Sequence, residues 1–176
     1  METASGFLLA PDSTFQFFYS YGALDRYGSG TWKVEDSFIV FNSRPRPRAD
    51  FKLLSSKTTS DNFITVKISD PNTALLGYVQ GTIKSSQGEQ RALSNSKGVI
   101  RFNTQPIDSI VLMFQFCPEK LSSFYTGDKK ANYFEFGFEP WLAEVFFDAF
   151  KLVYKKKFLT GGHPAVEGDT LIYEKQ

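Results

Sequence analysis

The residues able to do chemistry are few and scattered along the chain. His163 is the only histidine, and Glu167 and Asp169 follow it closely. One imidazole beside two carboxylates could bind a metal or act as a general base. Its Gly161-Gly162-His163-Pro164 setting, however, is turn chemistry, and no second histidine or cysteine pattern adds ligands. Serines abound, but none stands in a Gly-x-Ser-x-Gly elbow, so a Ser-His-Asp triad has no support. Gly28-Ser29-Gly30 opens like a dinucleotide fingerprint, yet Lys33 stands where the third glycine belongs and no helical pattern follows. Asp12, Asp25, Asp36, Asp50, Asp61 and Asp70 nearly all lie beside turn residues, and none has the spacing of a calcium loop. Paired carboxylates for glycoside hydrolysis can be far apart in sequence, which leaves a hydrolase as a minor reading. The expectation is no enzyme: no catalytic residue, no metal and no cofactor.

Charge and sulfur narrow the partners. The formal net charge is +1 at pH 7, which gives no global reason to expect nucleic acid, an anionic membrane or acidic substrates. Arg44, Arg46 and Arg48, alternating with Pro45 and Pro47, could grip phosphate or carboxylate, and Lys155 to Lys157 could add a second basic tip. Near-neutrality favours a solvated linker and a charged hairpin tip instead. Cys117 is alone, so no internal disulfide can form, and its apolar neighbours predict a buried, inert thiol. The aromatics carry the one attractive binding idea. Tyr19, Tyr21 and Tyr27 cluster near Gly22 and Gly28, where rings with a polar tip could line a barrel mouth or stack on sugar. Core packing accounts for the phenylalanines.

The elements that would position these side chains are strands. Phe15, Phe17, Tyr19 and Tyr21 fall on every second residue and predict a strand with one ring-bearing face. Gly22 is expected to open a turn, and Gly28-Ser29-Gly30 to let the backbone pass close to a neighbour at a glycine bend before Thr31-Trp32 starts a new strand. Trp32 is expected to anchor the core. Phe38 to Phe41 follows the Glu35-Asp36-Ser37 turn as a short buried strand. The Arg-Pro stretch is the best lobe boundary. From Phe63 short strands recur at roughly ten-residue spacing with turns between them, the pattern of a sandwich. Ile110 to Phe116, apolar at nearly every residue, predicts a central strand buried on both faces. Pro140 to Val153 fits a helical stripe, but its aromatic and β-branched residues make poor helix. The reading leans to strand for Phe150 to Tyr154, with at most one or two helical turns near Trp141. Lys155-Lys156-Lys157 then reads as a hairpin tip and Gly161 to Pro164 as a turn.

Two partial resemblances rest on quoted motifs. Leu8-Leu9, Pro11-Asp12-Ser13-Thr14-Phe15, Gly28-Ser29-Gly30-Thr31-Trp32 and Asp36-Ser37-Phe38-Ile39-Val40 together resemble lipocalin-like envelope lipoprotein domains, with Ser13 in place of the usual glycine. Asp169 to Lys175 looks like the last strand of the same kind of barrel. Leu76-Gly77-Tyr78-Val79, Gly88 and Ser94 to Gly98 with Ile100 and Phe102 resemble transthyretin-like and carboxypeptidase-regulatory-like sandwiches. Each match covers a third to a half of the chain. The resemblances imply a non-catalytic, extracytoplasmic setting and carry over no ligand motif.

The expected architecture is all-β with at most one short helix: residues 1–56 with 132–176 as a discontinuous lipocalin-like barrel or sheet lobe, and 62–127 as an inserted transthyretin-like sandwich. The Arg-Pro stretch and the Thr126 to Asn132 loop are the expected crossings. No apolar run is long enough for a transmembrane segment. Met1-Glu2-Thr3-Ala4 lacks a signal-peptide pattern, while a strand so near the start points to a leader or earlier strand outside this chain, so the compartment stays open. The expected function is a non-enzymatic envelope or surface module that binds another protein or helps build an assembly, with no nucleic-acid partner. The alternative is a barrel carrying an apolar or sugar-like small ligand. A cavity on the aromatic face would favour the carrier, and a filled barrel with an exposed sheet edge would favour the module.

Overall fold

The computed structural model describes residues 3–21, 24–127 and 130–174, without the side chains of Thr3, Tyr21, Leu24, Glu167 and Asp169. The fold is nearly all β, as the ring ladders and turn spacing require. Among the described residues the helical element is one 3₁₀ segment, Thr73–Tyr78, which is the single short helix that the all-β reading allowed. The Asn72 side chain caps it by accepting from the Ala74 amide. The stretch near Trp141, given at most one or two helical turns, is a hydrogen-bonded turn in which the Leu142 amide donates to the Glu139 carbonyl at 3.0 Å.

The chain divides into two compact units, Met1–Arg46 with Ala143–Gln176, and Pro47–Leu142. The first unit is a nearly closed, barrel-like antiparallel sheet of seven strands. In order across the sheet they are β1 (Thr3–Leu9), β2 (Thr14–Tyr21), β3 (Leu24–Glu35), β4 (Phe38–Asn42), β13 (Phe150–Lys155), β14 (Phe158–His163) and β15 (Val166–Glu174). Period two works as expected on β2: Phe15, Phe17 and Tyr19 point inward and are buried, while Gln16 and Phe18 face out. The two end strands approach each other through Phe7 and Tyr173, whose rings meet edge-on at 5.1 Å.

The glycine bend does not occur. β3 runs unbroken from Leu24 to Glu35. Gly28 and Gly30 serve close approach within it, because a Cβ at Gly28 would strike the Phe147 ring and one at Gly30 the Asn42 carbonyl oxygen. Trp32 is half-buried and packs against the barrel core, with its indole donating to the Ala10 carbonyl at 3.2 Å. The turn expected at Gly22 lies outside the described residues. Lys156 and Lys157 do form the β13–β14 tip. The turn expected over Gly161 to Pro164 begins later, because Gly161, Gly162 and His163 still belong to β14.

The second unit is a sandwich of two four-stranded sheets. One holds β5 (Phe51–Lys57), β12 (Tyr133–Phe138), β6 (Phe63–Ile68) and β9 (Val99–Asn103), in that order. The other holds β11 (Leu121–Tyr125), β10 (Ser109–Phe114), β7 (Val79–Ser85) and β8 (Gly88–Leu93). The expected bounds gave Phe51 to Ser56 and Tyr133 to Phe138 to the barrel lobe. Both strands instead pair with each other, and β12 also pairs in parallel with β6. The chain therefore leaves this unit at Leu142, and residues 126–132 merely join β11 to β12 within it. β10 is central but alternates, with Ile110, Leu112 and Phe114 buried and Val111 and Met113 half-covered, so one face alone meets the core. Phe51, Phe134, Phe136 and Phe138 complete a core that the segment 62–127 could not close by itself.

Candidate functional site

The barrel interior is occupied by rings. Phe7 lies within 4.6 to 6.2 Å of Phe15, Phe17, Phe41, Phe147 and Tyr173, in tilted and edge-on arrangements. Leu152 and Leu159 fill beside them. Side chains of this size and contact distance make a packed core.

The three predicted tyrosines do not form one site. Tyr19 is 8% exposed and faces inward, its ring edge-on to His163 at 4.6 Å. Tyr27 is 48% exposed and faces outward, opposite Phe18 in the β2–β3 register. A strand's alternation puts these two on opposite faces. The side chain of Tyr21 lies outside the description.

His163 ends β14 and is buried beside Phe17 and Tyr19, with Nδ1 accepting from the Ala165 amide at 3.0 Å. Accepting there leaves the ring proton on Nε2. The Glu167 and Asp169 side chains, the other members of the proposed trio, lie outside the description. Among the described residues no group of three or more His, Cys, Asp or Glu is placed to hold a metal ion. Cys117 is buried in the sandwich core.

The arginine row is split. Arg44 donates to Glu144 at 2.7 Å and lies over the Phe146 ring, an internal brace of the barrel unit. Arg46 and Arg48 are exposed on the extended stretch, as are Lys155 to Lys157 on their tip.

What the sequence did not single out is the edge arrangement of the sandwich. Each sheet has two edge strands, and the pairs are treated differently. On one side, β8 and β9 are stitched by Gln90, whose carboxamide donates to the Asn103 carbonyl at 3.1 Å and accepts from the Asn103 amide at 2.9 Å. A side chain there takes over both backbone groups of an edge residue. On the other side, β5 and β11 meet at the Asp50 amide, which donates to the Ser122 hydroxyl at 2.7 Å. Farther along, a small pocket lined by Leu53, Ser56, Phe124 and Tyr125 reaches core residues Ile110 and Phe136.

The two edges of that open side also differ. β5 carries Lys52 and Lys57 and a bulge opposite Glu135 and Phe136, all devices that discourage a further strand. β11, Leu121-Ser122-Ser123-Phe124-Tyr125, has no charge, proline or bulge, and pairs with β10 in unbroken register. The Thr126 amide donates to the Asp108 carbonyl, so alternation turns the backbone groups of Ser122 and Phe124 toward β10 and those of Leu121, Ser123 and Tyr125 outward. Leu121 and Tyr125 are 58% and 90% exposed. A short stretch of mixed serine and aromatic residues gives little warning of this in sequence, because an edge is defined only by the strand that is missing.

No protein-family model matches the chain, and comparison with curated proteins and with solved structures finds no match. Among the described residues no helix is long and apolar enough to cross a membrane, which says nothing of crossing by strands.

Proposed function

We propose that the protein is a non-enzymatic module that binds another protein or builds an assembly, using the open β11 edge of its sandwich unit. The observation that carries this reading is the contrast between a barrel interior packed with rings around Phe7 and a sheet edge left undefended at Leu121 to Tyr125. A carrier needs room among its rings for a ligand. A binding module needs backbone donors and acceptors in reach of a partner strand. An envelope or surface setting is part of the proposal and is supported by the resemblance of the Pro11 to Val40 and Asp169 to Lys175 motifs.

The test is titration with a fluorescent apolar probe and with simple sugars, read by the probe and by tryptophan emission. No saturable binding is expected. Saturable one-to-one uptake that changes Trp32 emission overturns the reading in favour of a carrier.

A further inference from the structure

We propose that the occupant of the β11 edge is a second copy of this chain, docked antiparallel to the first about a two-fold axis through Ser123. The inference rests on the assembly reading above and names its partner.

The geometry of the strand is self-complementary. In an antiparallel pair centred on Ser123, Leu121 of each copy stands opposite Tyr125 of the other, and the two Ser123 residues face each other. The outward-pointing backbone groups belong to Leu121, Ser123 and Tyr125, the three residues that such a register aligns. The same three side chains share the outer face, so the exposed leucine of one copy covers the exposed tyrosine of the other. Small serines at the axis let the backbones approach. A two-fold contact requires one patch to serve both partners, and a strand reading apolar, small, apolar meets that requirement without adjustment. Charge does not oppose it: β11 has none, and the whole chain carries +1. The defended β5 and the stitched β8–β9 side leave β11 as the edge where pairing meets least resistance.

One strand pair makes a small interface, so a concentration-dependent dimer is expected and not a permanent one. Sedimentation equilibrium should show the mass rising from 19.9 kDa toward twice that value as protein concentration rises. Ser123→Lys places two like charges at the axis and should hold the protein at monomer mass across the same range; Ser123 is exposed, so its fold is kept. Ser123→Cys treated with a short bifunctional thiol cross-linker should give a covalent dimer far faster than Ser96→Cys, an exposed turn control. A wild-type protein that stays monomeric at every concentration overturns the self-pairing, as does equal cross-linking of the two cysteine variants. A dimer that Ser123→Lys leaves intact overturns it too, since the contact then lies elsewhere. Each of these results leaves the broader assembly reading standing for a different protein's strand. That reading falls separately, on saturable ligand uptake by the barrel.

Discussion

Lys120 and Asp50 form an ion pair of 3.4 Å with side chains only 3% and 1% exposed. The same ammonium donates to the main-chain carbonyls of Trp141 and Leu142 at 3.1 and 2.9 Å. Asp50 lies where the chain enters the sandwich unit, and Leu142 is where it leaves. One buried side chain thus ties the two ends of an inserted unit to its own β11. The Trp141 indole adds a bond to the Ala49 carbonyl at 2.9 Å.

Breaking that pair should be costly. Lys120→Met leaves the Asp50 carboxylate buried without its cation and should destabilise the protein by about 3–5 kcal/mol. Lys120→Met with Asp50→Leu should recover a part of the loss, because no buried charge then remains. Denaturation midpoints measure both. A single variant as stable as wild type would show that the clasp contributes nothing.

The clasp also predicts where the insert can be cut free. A fragment spanning Pro47 to Leu142 keeps both joined ends, β5 and β12, and should unfold cooperatively in denaturant. Asp61 to Asp128 lacks Phe51, Phe134, Phe136 and Phe138 of the same core and should stay unfolded. Circular dichroism of the two fragments decides it, and the reverse result would refute the boundary.

Two backbone positions offer opposite predictions. Ser13 has φ 66°, a left-handed conformation that costs any residue with a Cβ, and its carbonyl accepts from the Trp32 amide. Ser13→Gly should stabilise by about 1 kcal/mol, the strain relieved exceeding the added chain entropy. Gly30→Ala should destabilise by about 3 kcal/mol, since its methyl would fall on the Asn42 carbonyl and a main-chain atom cannot step aside. Thermal unfolding of both variants is the check.

Alkaline pH should act through Tyr173. Burial raises its phenol above the ordinary 10.0, with the Ser5 hydroxyl offsetting part of the effect. A raised folded value means the neutral phenol is favoured in the fold. The stabilisation is fully present below pH 10.0 and is lost as pH climbs through the folded value. Tyr173→Phe should therefore lose less stability than wild type across that window, measured by urea midpoints on either side of it. Equal losses would show that the phenol does not govern the alkaline limb.

Much of the local structure was legible in the chain itself. Phe15, Phe17 and Tyr19 declare a strand because a strand's side chains alternate, and that rule needs no partner. Lys155 to Lys157 between two apolar runs declares a hairpin tip for a similar reason, and β13 over Phe150 to Lys155 follows once helix propensity is judged poor. Pro11-Asp12-Ser13 was legible as a turn, whereas the positive φ of Ser13 was not.

What tertiary structure alone decided is which strands become neighbours. β5 and β12 were read as barrel strands, because nothing local to them separates a barrel strand from a sandwich strand. Their place was settled by rings from distant segments, Phe51 against Phe138 and Phe124 against Phe136, that share one core. Gly28-Ser29-Gly30 looked like a bend because glycine permits one. Whether the chain turns there depends on Phe147 and Asn42, which press on a straight strand. His163 looked like a turn residue, and two more residues of β14–β15 pairing drew it into the barrel. Edges are the extreme case. Hydrogen-bonding groups on Leu121, Ser123 and Tyr125 are identical to those of any strand until the fold makes β11 the end strand of its sheet among the described residues, and pairing across a sheet is a long-range choice that local sequence does not encode.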